Sequence, residues 1–329
     1  MKEFAKNAGS FLLRFGLSAG LLVFLFRKID LAKMGELCKT ADYGYLALAG
    51  LVFFVIHAVI FLRWIIFIRA LDLQLPFKET VSFFFIGLFF NLFLPSSTGG
   101  DLVKAFGLCQ YTKEKGKVVA SIVLDRLSGF AAIVLVAMVA YILGFQLIRD
   151  WSLLISIFIL AGVVALILAV LLNERIYSFG CNFFNGFPKF KEALMHLHYQ
   201  VAMLKKKKYA FYQAVGLSVV TQTLLSLTFY FAALGLHAQT RFVYFLIFVP
   251  LLCVISSLPS IGGLGVRDAG AAYLFGKVGM GTATAVSVSL FNFFLMIAVG
   301  LIGGIIFLVY LMSGNFKLDL AAIRAEFQS

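Results

Sequence analysis

FLPSSTGGDLVKAF, from Phe93 to Phe106, and SLPSIGGLGVRDAG, from Ser257 to Gly270, decide how this chain is read. Each carries Leu-Pro-Ser, a Gly-Gly pair, a valine and a cation, and apolar sequence surrounds both. Proline and paired glycines leave backbone groups unpaired, which a bilayer tolerates only where protein or a watery cavity satisfies them. The apolar runs that lead into them, Thr80–Leu94 and Phe242–Leu258, are short for a complete span. Both stretches therefore read as the turning points of broken or re-entrant helices.

Composition agrees. Of 329 residues, 62% are hydrophobic and 13% charged, against about 45–50% and about 25% in soluble domains. That excludes a soluble enzyme and predicts an integral membrane protein. Candidate spans are Ser10–Phe26, Tyr45–Ile68, Val118–Ile148, Ser152–Leu172, Tyr209–Leu236 and Ala283–Met312. The N-terminal run is interrupted by Arg14 and reads as a retained helix rather than a cleaved signal. The net charge of +13 is explained by Lys and Arg gathered in cytoplasmic loops, so nucleic acid is not an expected partner. With the N-terminus inside, most of the 28 Lys and Arg fall on the cytoplasmic side, Lys113, Lys115, Lys117 and Lys205–Lys208 among them. The first motif then enters from the cytoplasm and the second from outside, as in an inverted-repeat transporter. The expected fold is an all-α polytopic membrane protein, about six full spans plus two broken or re-entrant helices in an inverted repeat. It forms one transmembrane domain over 1–329, with halves at roughly 45–172 and 209–312.

The joining segment, 173–208, is basic and amphipathic. Phe187, Phe190, Leu194, Leu197, Val201 and Leu204 make a helical stripe with lysines beside it. It reads as a surface helix on anionic lipid or simply as a positive topogenic loop. Arg27–Asp42 is of mixed charge and carries no assignment. Cys38, Cys109, Cys181 and Cys253 are scattered singly and suit packing, and no metal site or cofactor is expected.

Ionisable residues inside spans cost about 2.5–3.5 kcal/mol each on insertion scales and mark functional sites by default. Asp101 and Lys104 are three apart, share a helical face and can pair. Asp101 also stands where it can cap the following helix. Alternatively, exposed N–H groups and Lys104 face a cavity and hold an anionic group. Asp125 and Arg126 are adjacent and point about 100° apart on a helix. Each is expected to seek a distant partner, Lys104 for Asp125 and Asp101 for Arg126. A structural ion pair and phosphate contact by the Arg126 guanidinium both remain open. Arg267 and Asp268 follow IGGLG, with Arg267 mirroring Lys104. Two cations beside glycine-freed amides would make two anion-binding half-sites. Arg63 beside Trp64 reads as a snorkelling side chain near a cytoplasmic helix end, and His57 as a packed residue. His196 and His198 have no companions for a metal. Asn91 and Asn292 line the cavity or bond neighbouring helices.

In that order, NLFLPSSTGGDLVKAF, DRLSG and SLPSIGGLGVRDAG resemble the flippase-like family named for the lysylphosphatidylglycerol synthase transmembrane region. The resemblance runs from about Tyr45 to Met312. It implies a polytopic inner-membrane protein that moves a lipid or lipid-linked molecule between leaflets. It also points to Asn91, Pro95, Gly99, Gly100, Asp101, Arg126, Pro259, Gly262, Gly263, Gly265 and Arg267 as site residues. Lys104 stands where the family usually has arginine, and Asp268 where it usually has glutamate. The synthase's aminoacyl-transfer domain has no counterpart in the short stretch after Met312, so lysine transfer is not expected.

The expected function is therefore translocation of an anionic lipid without catalysis, the cavity lined by Lys104, Asp125, Arg126, Arg267 and Asp268 with the motif residues above. Both termini would be cytoplasmic. A homo-oligomer or an envelope-lipid biosynthetic enzyme would fit as a further partner. The alternatives are a membrane-embedded enzyme acting on a lipid phosphate and a non-transporting scaffold.

Overall fold

A computed structural model of the chain describes residues 39–93, 99–146, 150–173, 177, 199, 207–257 and 263–313. The described residues form helices α1 (Tyr43–Ala70), α2 (Phe77–Phe93), α3 (Gly99–Cys109), α4 (Lys115–Leu143) and α5 (Trp151–Leu172). These are followed by α6 (Lys208–Gly235), α7 (Phe242–Ile255), α8 (Val266–Gly276) and α9 (Thr282–Met312). Hydrocarbon offers the backbone no hydrogen bonds, so apolar runs of this length fold as helices that satisfy themselves. Among the described residues, four helices, α1, α4, α6 and α9, are long and apolar enough to cross a membrane. The expected boundaries hold to within a few residues, the main shift being α4, which ends at Leu143 and turns at Gly144. The expected first span, the stripe from Phe187 to Leu204, Cys38 and Cys181 lie outside the described residues, as do His196 and His198.

Helix α6 lies along α1, and together they make the most extensive helix pair among the described residues. Helix α2 packs on α9 and α3, while α7 packs on α4 and α8. The α2–α9 seam depends on glycine. A Cβ on Gly303 would stand 1.9 Å from the carbonyl oxygen of Phe85, and one on Gly300 would stand 2.3 Å from Leu92. Small residues let backbones approach where lipid supplies no hydrophobic drive between helices. The same device joins α2 to α3, since a Cβ on Gly100 would meet the Gly87 carbonyl oxygen at 1.9 Å.

Contacts between distant segments sort the two ends of the bundle. At one end Asp42 N–H donates to the Gly235 carbonyl (2.8 Å), His237 bonds the Thr40 carbonyl (2.7 Å), and Lys277 pairs with Asp150. At the other, Lys207 bonds both carboxylate oxygens of Asp72 (2.8 and 2.7 Å), and the Phe83 ring meets Tyr111 and Tyr310. The α2–α3 hairpin has both its outer ends at the Asp72 end. The α7–α8 hairpin has both of its own at the Asp150 end. Large apolar side chains such as Leu51, Leu62, Ile159, Phe294 and Ile305 cover the flanks, as a lipid-facing surface requires.

Candidate functional site

The first motif delivers its charges into a pocket of side chains from α1, α3, α4 and α6. Gly100 N–H donates to Asn91 Oδ1 (2.8 Å), so Asn91 satisfies one of the orphan amides that begin α3. Two residues from that start, Asp101 accepts from Arg126 Nε at 2.6 Å. The neighbouring Asp125 faces the other way. Its two oxygens accept from Arg63 Nε (2.7 Å) and Nη2 (2.9 Å), a bidentate fork. Arg63 Nη1 then donates to Ser218 Oγ (3.0 Å) on α6. Ser128 bonds back to the Asp125 carbonyl (2.8 Å) and accepts from Ser218 (3.3 Å).

Two expectations are corrected here. Arg63 is not a snorkelling side chain: it is 7% exposed and bonded to the buried Asp125 and Ser218. Asp125 is paired with Arg63 and not with Lys104. The expected Asp101–Arg126 pair is present. Arg126 is the more open of the two arginines, its side chain 41% exposed against 9% for Arg63.

Lys104 is then left over. It is 5% exposed, its Nζ sits 3.5 Å from the centroid of the Trp64 ring, and among the described residues it has no carboxylate or hydrogen-bond partner. Trp64 is itself held by its indole N–H to Ser121 Oγ (3.2 Å). Three cations, Arg63, Lys104 and Arg126, stand with two carboxylates, Asp101 and Asp125. The group thus carries one positive charge in excess. A desolvated cation–π contact is worth about 2 kcal/mol, while burying an ammonium costs several.

The second motif is built differently. Gly263 and Gly265 have φ of +78° and +79°, the left-handed region that L side chains rarely adopt. They turn the chain into α8, where Gly265 N–H donates to Asp268 Oδ2 (2.9 Å). Ser289 Oγ donates to Asp268 Oδ1 (2.6 Å) and accepts from Arg267 Nε (2.9 Å). Arg267 Nη2 reaches the Ser289 carbonyl (3.0 Å) and Nη1 reaches Met296 Sδ (3.6 Å). Arg267 and Asp268 are 4% and 0% exposed, and their charges cancel. The residue that matches between the motifs is the acid: Asp101 and Asp268 are each third in an 11-residue helix. Arg267 is second in its helix, whereas Lys104 is sixth in its own. Nearby on α9, Asn292 Nδ2 and Ser287 Oγ are buried without a partner among the described residues.

Helix α6 packs against helices of both groups. Ser218 bonds Arg63, and Gln222, one turn on, accepts from Cys253 Sγ of α7 (3.9 Å). Of the expected site residues, Asn91, Gly99, Gly100, Asp101, Lys104, Asp125 and Arg126 lie in or beside the first group. Gly263, Gly265, Arg267 and Asp268 lie in the second. Pro95, Pro259 and Gly262 fall outside the described residues. His57 bonds the Phe53 carbonyl within its own helix (2.9 Å). Arg63, Ser218 and Ser289 are the participants that sequence reasoning missed. Arg63 was detectable as an ionisable residue inside a span.

Fold and site together define a polytopic helical membrane protein with charged residues buried at two hairpins. The chain matches the model of the lysylphosphatidylglycerol synthase TM region family over residues 11–304, and it belongs to that family. It is similar to a UPF0104 membrane protein of Pyrococcus horikoshii, 25% identical over 283 residues, covering 78% of this chain and 84% of that one. A UPF0104 membrane protein of Methanothermobacter thermautotrophicus is 28% identical over 170 residues, covering 51% of this chain and 49% of the relative. No solved structure matches.

Proposed function

We propose that the chain moves an anionic lipid or lipid-linked phosphate between membrane leaflets, without catalysis, and that the headgroup docks at Lys104. The carrying observation is the buried Lys104 ammonium, which has no anionic partner among the described residues beside two ion pairs that already neutralise one another. A phosphate oxygen supplies the missing charge and acceptor. Arg126, the more exposed arginine, lies in the same group and can share the phosphate. At the second hairpin the charges cancel, and the buried Asn292 Nδ2, without a partner among the described residues, is a further donor for a headgroup.

On this reading the cores of the two halves are α1–α4 and α6–α9, related as an inverted repeat. In support, the helices correspond in length: 28 and 28 residues, 17 and 14, 11 and 11, 29 and 31. Packing corresponds as well, α2 on α9 as α7 on α4. The hairpins open at opposite ends, the arrangement that lets a central site face each side in turn. The Asp72 end, with its lysines, is the cytoplasmic one, the host membrane is the inner membrane, and both termini are cytoplasmic. An envelope-lipid biosynthetic enzyme or a second copy of the chain is the further partner this reading allows.

The test is reconstitution in vesicles with fluorescent phosphatidylglycerol and, separately, a polyprenyl phosphate, following movement between leaflets. Wild type and Lys104→Arg are expected to move at least one of them, and folded Lys104→Met neither. No movement by folded wild type, or full movement by Lys104→Met, overturns the reading.

A further inference from the structure

The Asp72 end holds a second cationic feature, far from the hairpin charges. Here the last turns of α1 and the first turns of α6 leave a cleft of about 530 Å3, within the about 300–1,000 Å3 range of small-molecule sites. Its polar lining is Arg69, Lys207, Tyr209 and Gln213, and Ile66, Ala70 and Ala210 supply the apolar part. Lys207 is spoken for, because Nζ bonds both oxygens of Asp72 and holds that carboxyl below its usual range. Arg69 is not: among the described residues its guanidinium has no hydrogen bond or ion pair. Arg69, Lys207 and Asp72 together leave one positive charge in excess, and Lys208 follows Lys207 in sequence.

The depth of the cleft identifies what would fill it. Helices α1 and α6 are membrane-crossing, so the C-terminal end of one and the N-terminal end of the other lie at the headgroup layer. Tyr209 is of the type that gathers there. Ile66 lies nearly a turn deeper in α1 than Arg69, on the hydrocarbon side of it. A guanidinium matches a phosphodiester with two parallel hydrogen bonds, Tyr209 and Gln213 offer further donors, and the apolar side chains meet the first carbons of the acyl chains. Basic clefts between spanning helices on the cytoplasmic side are suited to anionic lipid heads.

We propose that this cleft holds the headgroup of an anionic phospholipid, retained and not transported, which bridges α1 and α6 where the two halves of the chain meet. The bound lipid ties together the ends of these two helices.

The experiment uses the purified full-length chain, stripped of lipid in neutral detergent and given phosphatidylglycerol or phosphatidylcholine of the same acyl chains. Retained lipid is read by native mass spectrometry. Phosphatidylglycerol is expected to be held about tenfold better than phosphatidylcholine, and Arg69→Ala to remove about that factor, equivalent to about 1.4 kcal/mol. Arg241→Ala, at an exposed arginine of the opposite end, is expected to keep it. Equal retention of the two lipids, or unchanged retention in Arg69→Ala, overturns the proposal. Displacement by an equal concentration of inorganic phosphate also overturns it, because the cleft would then be a free-anion site. Loss in Lys104→Met but not in Arg69→Ala would place the retained lipid at the hairpin charges. That result sinks this inference and leaves the translocation reading standing.

Discussion

Replacing Lys104 with methionine tests the site most sharply, because stability and transport should move in opposite directions. Methionine keeps much of the length of the side chain and its packing on Trp64 and removes the charge. The ammonium is 5% exposed and stands in a group that already carries a surplus positive charge. Removing it recovers a desolvation cost of several kcal/mol and gives up a cation–π contact worth about 2 kcal/mol. The net expectation is a gain of about 1–2 kcal/mol, read as a rise of about 2–4 °C in Tm per kcal/mol for a chain of this order of size. A soluble phosphate monoester should raise the Tm of wild type, by about 2.7 kcal/mol in stability terms at a hundredfold excess over Kd. The variant should show no such rise. The assays are thermal unfolding in detergent with and without the ester, followed by leaflet movement of fluorescent phosphatidylglycerol in vesicles. If Lys104→Met is destabilised by more than about 1 kcal/mol, the lysine is a structural counter-charge and the reasoning fails. It also fails if the ester stabilises both forms equally.

Arg63→Met should be the opposite case, because it strands the Asp125 carboxylate in the core, at a cost of about 3–5 kcal/mol. The double variant Arg63→Met/Asp125→Leu should recover most of that in the same melting assay, and a double as unstable as the single would refute the pairing. Gly303→Ala places a methyl group 1.9 Å from the Phe85 carbonyl oxygen. Overpacking of this kind costs about 1–3 kcal/mol or more, so the yield of folded protein should fall, and Gly162→Ala, which meets nothing within 4 Å, should leave it unchanged. The Asp150–Lys277 contact gives a pH signature at the other end of the bundle. Hydrogen bonds from Lys277 and then Ser152 pull the Asp150 carboxyl down to about 2. Since the folded value lies below the unfolded one, the contact stabilises fully above about pH 4, and its contribution is lost as pH falls towards 2. The pair is partly exposed, so the effect should be below about 1 kcal/mol. Lys277→Met should lower stability by up to that amount above about pH 4 and converge with wild type as pH falls towards 2, flattening that part of the acid melting profile.

The sequence by itself settled the class and the placement of helices. Long apolar runs have one solution in a bilayer, the self-bonded helix, and so Tyr45–Ile68 was legible to within two residues of α1. The first Gly-rich motif likewise fell where one helix gives way to the next, α2 ending at Phe93 and Gly99-Gly100 opening α3. The hairpin acids were legible too, since charge in apolar sequence is conspicuous. Partnership was decided only by tertiary structure. Asp125 had several cations within reach of guesswork, and Arg63, 62 residues away in sequence, became its partner because α1 and α4 pack with the fork facing inward. Nothing local encodes that facing. The same packing left Lys104 over Trp64 rather than on a carboxylate, and it turned Arg267 into a neutralised strut between Asp268 and Ser289. A lysine and an arginine that look alike in a sequence motif thus carry different net charge in the folded chain. The electrostatic cost of a buried group depends on which neighbours arrive from other helices, and that is a property of packing alone.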